Sequence, residues 1–489
     1  MKKQDSDPDG LRLPIKLDAT SNGEFVPVPL DAAGRYANRL AREMTAAAAR
    51  RSGQTRRKFL ISSSGAAATL LAFNAAQAAA GRSGGYFDLP TDAAYDSQLA
   101  SSILDGEEFI FDVQGHYVDP TGAWLQQVPA GARPFASLPR AADCPVEPER
   151  AYLECLGPDA FIKDVFMDSD TDLMVLSFVP SRSDAEPVTI EAADSVRRIV
   201  DEMEGSQRLL LHGRVNPNQD GDVAQMDELA ERWGVSAWKT YTQWGPDGRG
   251  FWMDDEDTGI PFVEKARELD VKVICIHKGL PFGPRSYEHS QCQDIGRIAR
   301  RYPDMTFIVY HSGFVADHPE RAFAAGAGTD GIDTLIQSMI DNDIGPGSNV
   351  YAELGSTWRF LMRDPDSAAH AMGKLLKYVG EDNVLWGTDS IWYGSPQDQI
   401  QAFRSFQISK ELQERYGYPA ITPETRAKVF GLNAVKPYRI SAEELKRHTR
   451  SDAMAMRRGA YQERPDPHFA TYGPKTRREF FNLLRHGDI

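Results

Sequence analysis

The 489-residue chain is poor in cysteine and in positive charge. It has four cysteines, and no two of them form a C-x-x-C pair, which argues against a zinc ribbon or a thioredoxin-like motif. Lysine and arginine number 55 against 70 aspartates and glutamates, so the net charge is −15. Nucleic-acid-binding proteins normally carry a basic face, and this balance therefore argues against that class.

The cysteines have two different expected roles. Cys144 and Cys155 could pair in an oxidising compartment, but sequence spacing does not establish connectivity. Cys275 lies inside the apolar run Val273–Ile276, which predicts a small buried side chain.

Long hydrophobic runs are absent beyond the first eighty residues. Within them, Thr55–Leu60 reads TRRKFL, and an uncharged Ala/Leu-rich segment follows that contains Ala76-Gln77-Ala78. A basic region, an apolar region and an A-x-A site in this order resemble a bacterial twin-arginine export signal. We therefore expect recognition by the twin-arginine export machinery, cleavage after Ala78 and a periplasmic mature protein. The alternative is a surface helix with a chance Arg-Arg pair.

Eight short β-rich runs follow, separated by polar loops and amphipathic helical patterns. Several are apolar throughout, as parallel strands covered on both faces should be. The runs are Phe109–Val113, Leu173–Val179, Arg208–His212, Val235–Lys239, Val271–Ile276, Thr306–Tyr310, Asn349–Glu353 and Asn383–Trp386. This alternation predicts a closed (β/α)8 TIM barrel. An open doubly wound sheet is the competitor, but its G-x-G-x-x-G fingerprint after the first strand is missing.

The predicted organisation has four parts: a signal segment at 1–78, a linker at 79–106, the barrel at 107–440 and a charged C-terminal extension at 441–489. The Pro/Ala/Gly-rich segment 120–164 is too long for a plain connection. On a barrel it would lie at the C-terminal face and could cover the site. The extension would wrap the barrel, meet a partner subunit or stay partly mobile.

Histidines and an aspartate follow three of the apolar runs directly, and the first run leads into a similar cluster. Gln114 and His116 end the first run, His277 the fifth, His311 the sixth and Asp389 the eighth. In a barrel, the C-terminal strand ends face the active site. Histidine and aspartate with open positions suit zinc, with manganese or iron as alternatives. Asp389 would take a proton from the water activated by such a metal.

This layout resembles the amidohydrolase superfamily. It is most similar to the branch that includes aminocarboxymuconate-semialdehyde decarboxylase and resorcylate-type decarboxylases, over about 107–438. The most specific pieces are the runs ending in His277, in His311-Ser312-Gly313 and in Asp389, and the closing Asn433-Ala434 pair. The resemblance implies one divalent metal held by His116, His277 and Asp389, with His311 positioning or protonating the substrate.

Gln114 departs from the family pattern, which has His-x-His or Glu-x-His at this place. Three outcomes are open. Gln114 could be a weak or indirect metal ligand, it could hydrogen-bond the substrate beside three other ligands, or the site could have lost its metal.

Three further strand-end residues are candidates for substrate contact. Lys239 would bind a substrate carboxylate or form a structural ion pair. Tyr241 would line an aromatic wall or pack in the core, and Glu353 is a site carboxylate or an acid satisfied at the strand end.

The expected activity is metal-dependent hydrolysis of a C–N or C–O bond in a small organic substrate. Non-oxidative decarboxylation, a metal-independent lactonase or hydratase, and a non-catalytic periplasmic binding protein are the alternatives. The resemblance makes a homodimer plausible, although no residue in the sequence indicates one.

Overall fold

The structure, a computed structural model, describes residues 12–126, 155–202, 207–281, 286–326, 329–441, 443, 449–478 and 480. Cys144 lies outside these residues, so its pairing with Cys155 stays a prediction. The same holds for residues 127–154 of the long segment expected to cover the site.

Eight parallel strands form the centre of the molecule in the order of the sequence. They are β2 (Phe111–Gly115), β3 (Leu173–Leu176), β4 (Leu209–Arg214), β5 (Ala237–Tyr241), β6 (Val273–His277), β7 (Thr306–Tyr310), β8 (Val350–Glu353) and β9 (Val384–Leu385). The sheet closes where Val113 N donates to Trp386 O at 3.0 Å and Asp389 N donates to Gln114 O at 3.0 Å. The predicted (β/α)8 barrel is confirmed.

Helices lie between the strands and cover the outside of the barrel. They are Pro158–Ile162, Ile190–Glu202, Asp222–Glu231, Gly259–Glu268, Tyr287–Ser290, Ile295–Arg301, Ile332–Asp341, Thr357–Leu361, Pro365–Lys374, Gln397–Ser405, Lys410–Tyr416, Pro423–Ala427, Asn433–Val435 and Ala453–Gln462. Single π-turns at Lys163–Met167, Leu375–Val379 and Lys428–Leu432 extend three of them. Short 3-10 turns span Thr91–Ala94, Ala123–Gln126 and His311–Gly313.

The strand residues alternate between two apolar layers because successive side chains point to opposite faces. One layer fills the barrel and includes Val113, Val175, Ala237, Cys275 and Ile308. The other packs against the helices and includes Trp238, Ile274, Ile276, Phe307 and Val350. Cys275 is buried, as predicted. His277 is two residues further along β6, so its side chain enters the barrel mouth.

Residues 12–80 fold against the barrel. Helices α1 (Ala32–Arg51), α2 (Arg56–Leu60) and α3 (Ser63–Ala79) pack on one another, and α3 also contacts the helix Gln397–Ser405. The chain then enters β1 (Gly85–Phe87), which pairs antiparallel with β10 (Phe406–Ile408). No helix in the described residues combines the length and the hydropathy of a membrane span.

The described part of the C-terminal extension also lies on the barrel. Arg208, at the start of β4, forms a buried ion pair with Asp452 at 2.7 Å and donates to Thr449 O at 2.6 Å. Tyr472 N donates to Trp392 O at 3.1 Å, next to the barrel mouth. The predicted boundaries between signal, linker, barrel and extension stay predictions, because nothing in the fold tests where the chain is processed.

Candidate functional site

The predicted site residues meet at the C-terminal end of the barrel. Gln114 and His277 lie at the ends of β2 and β6, His311 directly follows β7, and Glu353 is the last residue of β8. Asp389 follows β9 by four residues, and all of these side chains are buried. The barrel therefore brings residues from five strands to one enclosed place.

Asp389 is the centre of a first group of polar contacts. Its Oδ1 lies 3.1 Å from His116 Nε2 and accepts a hydrogen bond from Gln114 Nε2 at 3.0 Å. Its Oδ2 accepts from Ser356 Oγ at 2.5 Å. The ring of His116 stacks on Trp392 with centroids 5.7 Å apart, which fixes its orientation.

Asp112, an aspartate in β2, holds this group in place. Asp112 accepts hydrogen bonds from the backbone of Gln114 at 3.0 Å and of Thr388 at 3.1 Å, and also from the Thr388 hydroxyl. Burial raises the pKa of Asp112 to about 7, although these hydrogen bonds oppose the shift. Asp112 thus ties β2 to the turn that carries Asp389.

A second group consists of Glu24, His277 and His311. His311 Nε2 lies 3.2 Å from His277 Nδ1, and His277 Nε2 lies 3.9 Å from Glu24 Oε2. The other nitrogen of His311, Nδ1, is 2.6 Å from the carbonyl of Gly355. A carbonyl only accepts, so Nδ1 carries the proton and Nε2 keeps its lone pair.

Asn22 joins the two groups. Its Nδ2 donates to Asp389 Oδ2 at 3.0 Å and to Glu24 Oε2 at 2.6 Å. One amide nitrogen therefore lies between two buried carboxylates and separates their charges.

Burial and charge set the ionisation of the site. Burial by itself raises the pKa of Asp389, but the hydrogen bond and charge of His116 outweigh it and the pKa lies below its ordinary value. Burial and the charge of Asp389 raise the pKa of Glu24. Burial lowers the pKa of His311 to about 4 and that of His277 well below its ordinary value. The imidazoles are thus neutral at pH 7, which is the form that binds metals.

Lys239 is a buried cation among aromatic rings. Its Nζ lies 3.5 Å from the centroid of Tyr310 and 4.7 Å from that of Tyr241, and it has no hydrogen-bond partner among the described residues. Burial lowers its pKa to about 8. Tyr241 stacks on His277 with centroids 4.4 Å apart. Its ammonium group would pair with the negative end of a substrate bound next to the histidines.

The Glu353 side chain accepts hydrogen bonds from two backbone amides. Its Oε2 accepts from His311 N at 3.0 Å, and its Oε1 accepts from Gly355 N at 2.5 Å. Burial raises its pKa to about 8. A Cβ at Gly387 would overlap Oε1, so only glycine lets the carboxylate occupy this place.

Three site residues have backbone angles that side chains rarely adopt. His311, Ser356 and Asp389 have φ values of 62°, 52° and 59°. Such residues persist where the surrounding structure forces them, and they cluster at functional sites. The surrounding hydrogen bonds therefore fix the directions of these side chains.

The metal ligands implied by the resemblance divide between the two groups. Gln114, His116 and Asp389 come together in the first, whereas His277 lies in the second with His311. Asn22 and Glu24 were not predicted as site residues, because they lie within the expected signal segment 1–78. The apolar residues Leu13, Ile15 and Leu17 alternate with Pro14 and Lys16, and this strand-like pattern in a region expected to be cleaved could have drawn attention to it.

The second group fits a divalent cation. Glu24, His277 and His311 each offer one ligand atom, these atoms lie within 4.8 Å of one another, and no other trio in the described part of the chain does the same. Two imidazoles and a carboxylate suit zinc, manganese or iron. The predicted set of His116, His277, Asp389 and Gln114 stays a prediction.

A separate cavity lies away from the strand-end site residues. It has a volume of about 550 Å³ and is lined by the N-terminal segment, the loop 168–172 and the C-terminal extension. None of the strand-end site residues lines it. This cavity is therefore separate from the site formed by the strand-end side chains.

A family comparison agrees with the barrel and its strand ends. A sequence profile described as Amidohydrolase matches residues 111–440, and the chain belongs to this amidohydrolase family. Asn22 and Glu24 lie outside the matched range. No curated protein sequence matches the chain.

Comparison with solved structures finds similar proteins at low identity. One is a 5-carboxyvanillate decarboxylase from Sphingomonas paucimobilis, 13% identical over 68% of this chain and 99% of that chain, with a TM-score of 0.41. Another is a 4-oxalomesaconate hydratase from Rhodopseudomonas palustris, 15% identical over 73% of this chain and 100% of that chain, with a TM-score of 0.38.

Proposed function

We propose that the chain is a metal-dependent hydrolase that cleaves a C–N or C–O bond in a small organic substrate. The observation that carries this proposal is the buried trio of Glu24, His277 and His311 beside the ionised Asp389. Zinc is the metal we propose, with manganese or iron as alternatives. When bound, it would activate water or polarise a substrate oxygen.

The protein groups have separate roles in this reaction. Asp389 stays ionised because His116, Ser356 and Asn22 all face it, so it can accept a proton from the attacking water. The Gly355 carbonyl holds His311 in one tautomer, with Nε2 facing the site. Burial of the whole group excludes bulk water, which strengthens each of these electrostatic interactions.

Lys239 defines the substrate class. A buried ammonium group that lies over two aromatic rings and has no hydrogen-bond partner among the described residues can bind an anion, since little competing solvent remains. We propose that it binds a carboxylate of the substrate. Tyr241 and Tyr310 then contact the organic part next to it.

Decarboxylation is a second candidate, and the surroundings of Lys239 favour it. A carboxylate bound by Lys239 would be buried away from bulk water, as Lys239 itself is. Transfer out of water destabilises a carboxylate more than the uncharged carbon dioxide that leaves it. Hydrolysis remains the first proposal because the Asp389 carboxylate is placed as a proton acceptor.

Metal content tests the proposal most directly. The full chain is stripped with a chelator, reloaded with zinc and analysed by elemental mass spectrometry, beside His277→Ala, Asp389→Ala and the exposed control His318→Ala. We expect about one equivalent in the wild type and the control and a clear loss in His277→Ala. A wild type that holds no zinc, manganese or iron after loading would refute the proposal and favour a metal-independent lactonase or hydratase, or a binding protein.

Product analysis then separates the two reactions. Candidate amides, esters and lactones with a free carboxylate are incubated with the loaded enzyme, and the products are followed by NMR. Hydrolysis consumes water and keeps the carboxylate, whereas decarboxylation releases carbon dioxide. Added chelator should stop either reaction.

Export and assembly stay predictions from the sequence. Passage through the twin-arginine route would deliver the chain to the periplasm, which cell fractionation tests. A homodimer would be seen by light scattering of the purified protein. In the folded chain, Arg57 of the twin-arginine pair forms an ion pair with Asp466 at 2.7 Å.

A further inference from the structure

The loop 18–25 is polar and yet buried at the barrel mouth. Thr20, Ser21, Asn22 and Glu24 are each no more than 5% exposed. Burying polar groups is costly unless they find partners. Asn22 donates to Glu24 and to the site residue Asp389, and Glu24 lies 3.9 Å from His277 Nε2, so the loop is part of the site rather than a segment lying over it.

Several long-range bonds hold the loop in this place. Asp18 pairs with Arg359 at 2.8 Å and accepts from Thr471 Oγ1 at 2.7 Å. Ser21 N donates to Pro474 O at 2.8 Å. A Cβ at Gly473 would overlap the Ser21 carbonyl. Glycine at this position therefore lets the C-terminal extension pack directly against the loop.

The helices behind the loop are built into the main hydrophobic core. Buried α1 and α3 side chains share one apolar cluster with the helices of the barrel. The expected cleavage site lies inside α3, where Ala76 is buried and Gln77 Nε2 donates to Arg363 O at 2.9 Å. Removal of residues 12–78 would therefore expose apolar barrel surface and also take Glu24 away.

Glu24 supplies the carboxylate of this trio, and it lies outside residues 111–440, the range that matches the family. Bonds from zinc to nitrogen or oxygen are about 2.0–2.2 Å long, so two ligands of one ion lie roughly 3–4 Å apart. The 3.9 Å between Glu24 Oε2 and His277 Nε2 falls within that span. The hydrogen bond from Asn22 Nδ2 to Glu24 Oε2, at 2.6 Å, holds the carboxylate on this side of the mouth.

We propose that residues 12–80 remain in the working enzyme as a permanent part of its active site, in which Glu24 binds the divalent cation together with His277 and His311. The presence of the divalent cation in this inference rests on the metal-dependent function proposed above. On this view α3 is a packing helix, and cleavage after Ala78 does not take place.

Zinc affinity of full-length variants tests the role of Glu24. Glu24→Gln keeps the size and the hydrogen bond to Asn22 but weakens the ligand, and Glu43→Gln on the exposed side of α1 is the matched control. Titration of Zn²⁺ alone against a chromophoric chelator should show at least a tenfold weaker Kd for Glu24→Gln and no change for the control. An unchanged Kd in a folded Glu24→Gln would overturn the inference.

The result also separates this inference from the proposed function. If the wild type binds zinc, His277→Ala loses it and Glu24→Gln keeps it, then the metal enzyme stands and the role of Glu24 falls. If the wild type binds none, both fall.

Intact mass spectrometry tests retention of the segment. The protein is purified from cells that express the full chain, and its mass and zinc content are measured together. We expect a chain that still contains residues 12–78. A chain that begins at Ala79 and carries zinc at the wild-type level would overturn the inference.

Discussion

Asn22 donates a hydrogen bond to Oδ2 of Asp389 at 3.0 Å, although 367 residues separate them in the sequence. The same nitrogen donates to Glu24 at 2.6 Å, so its two hydrogen bonds offset part of the repulsion between two buried carboxylates. The barrel mouth is thus completed by a segment that precedes the barrel by about ninety residues.

Asn22→Ala should destabilise the protein by about 1–3 kcal/mol, because two buried acceptors lose their donor. Urea unfolding at pH 7 measures the loss. Asn38→Ala is the control, since Asn38 donates to the Leu17 carbonyl at 2.8 Å away from the site. Added zinc should restore part of the stability in Asn22→Ala only, because a cation would neutralise the same carboxylates. Equal losses in both variants would contradict the role given to Asn22.

Lys239→Met should keep or increase stability and yet reduce activity. Burial lowers the pKa of Lys239 to about 8, so the folded state binds this proton less tightly than the unfolded chain, whose value is 10.5. Wild-type stability relative to Lys239→Met should therefore rise as the pH increases from about 8 to 10.5. Thermal unfolding at several pH values measures this difference. KM for carboxylate substrates should rise more than tenfold in the variant, whereas a marked loss of stability at pH 7 would indicate a structural role.

Glu353→Gln should lower kcat while leaving the fold intact. A glutamine has one acceptor oxygen, whereas the Glu353 carboxylate, ionised above its pKa of about 8, accepts from both His311 N and Gly355 N, so kcat is compared above pH 8. The turn that carries His311 would shift, and we expect a loss of about 10- to 100-fold, as for groups that orient metal ligands. Glu414→Gln, an exposed position on the helix Lys410–Tyr416, is the control. Wild-type kcat in Glu353→Gln would show that the carboxylate is not needed for positioning.

Docking of the N-terminal loop should weaken in acid through Asp18. Burial raises the pKa of Asp18, but the charge of Arg359 and further partners outweigh it, so the pKa lies below 3.8. The stability contributed by the ionised Asp18 is therefore complete above pH 3.8. It is lost as the pH falls through the lower pKa that Asp18 has in the folded state. Asp18→Asn should cost about 1–3 kcal/mol at pH 7, and the difference from wild type should shrink below pH 4. Denaturant unfolding from pH 7 to pH 3 measures it, with the exposed Asp220→Asn as control.

The C-terminal extension should be needed for stability through Asp452. Removing this carboxylate leaves Arg208 charged and buried, which typically costs about 3–5 kcal/mol. Asp452→Asn should lower the free energy of unfolding by that amount, and the double variant Arg208→Leu/Asp452→Leu should recover most of it. Failure of the double variant to recover would mean that the extension is held by other contacts.

The amino-acid sequence by itself determined the barrel. Its eight strands lie within a few residues of the apolar runs, His277 ends β6, and His311 and Asp389 follow β7 and β9 as the pattern predicts. This was possible because strand period, strand order and the direction of strand ends are local properties, and a closed parallel barrel converts them into a common mouth.

Only the tertiary structure decided how the site is completed. The motif of Arg56, Arg57 and the alanine-rich segment that follows predicted a cleavable signal, whereas the folded chain places Asn22 and Glu24 beside Asp389 and His277. Contacts between residues hundreds of positions apart leave no periodic trace in the sequence. They depend on the closed barrel, since the loop binds to side chains that the closed barrel brings together.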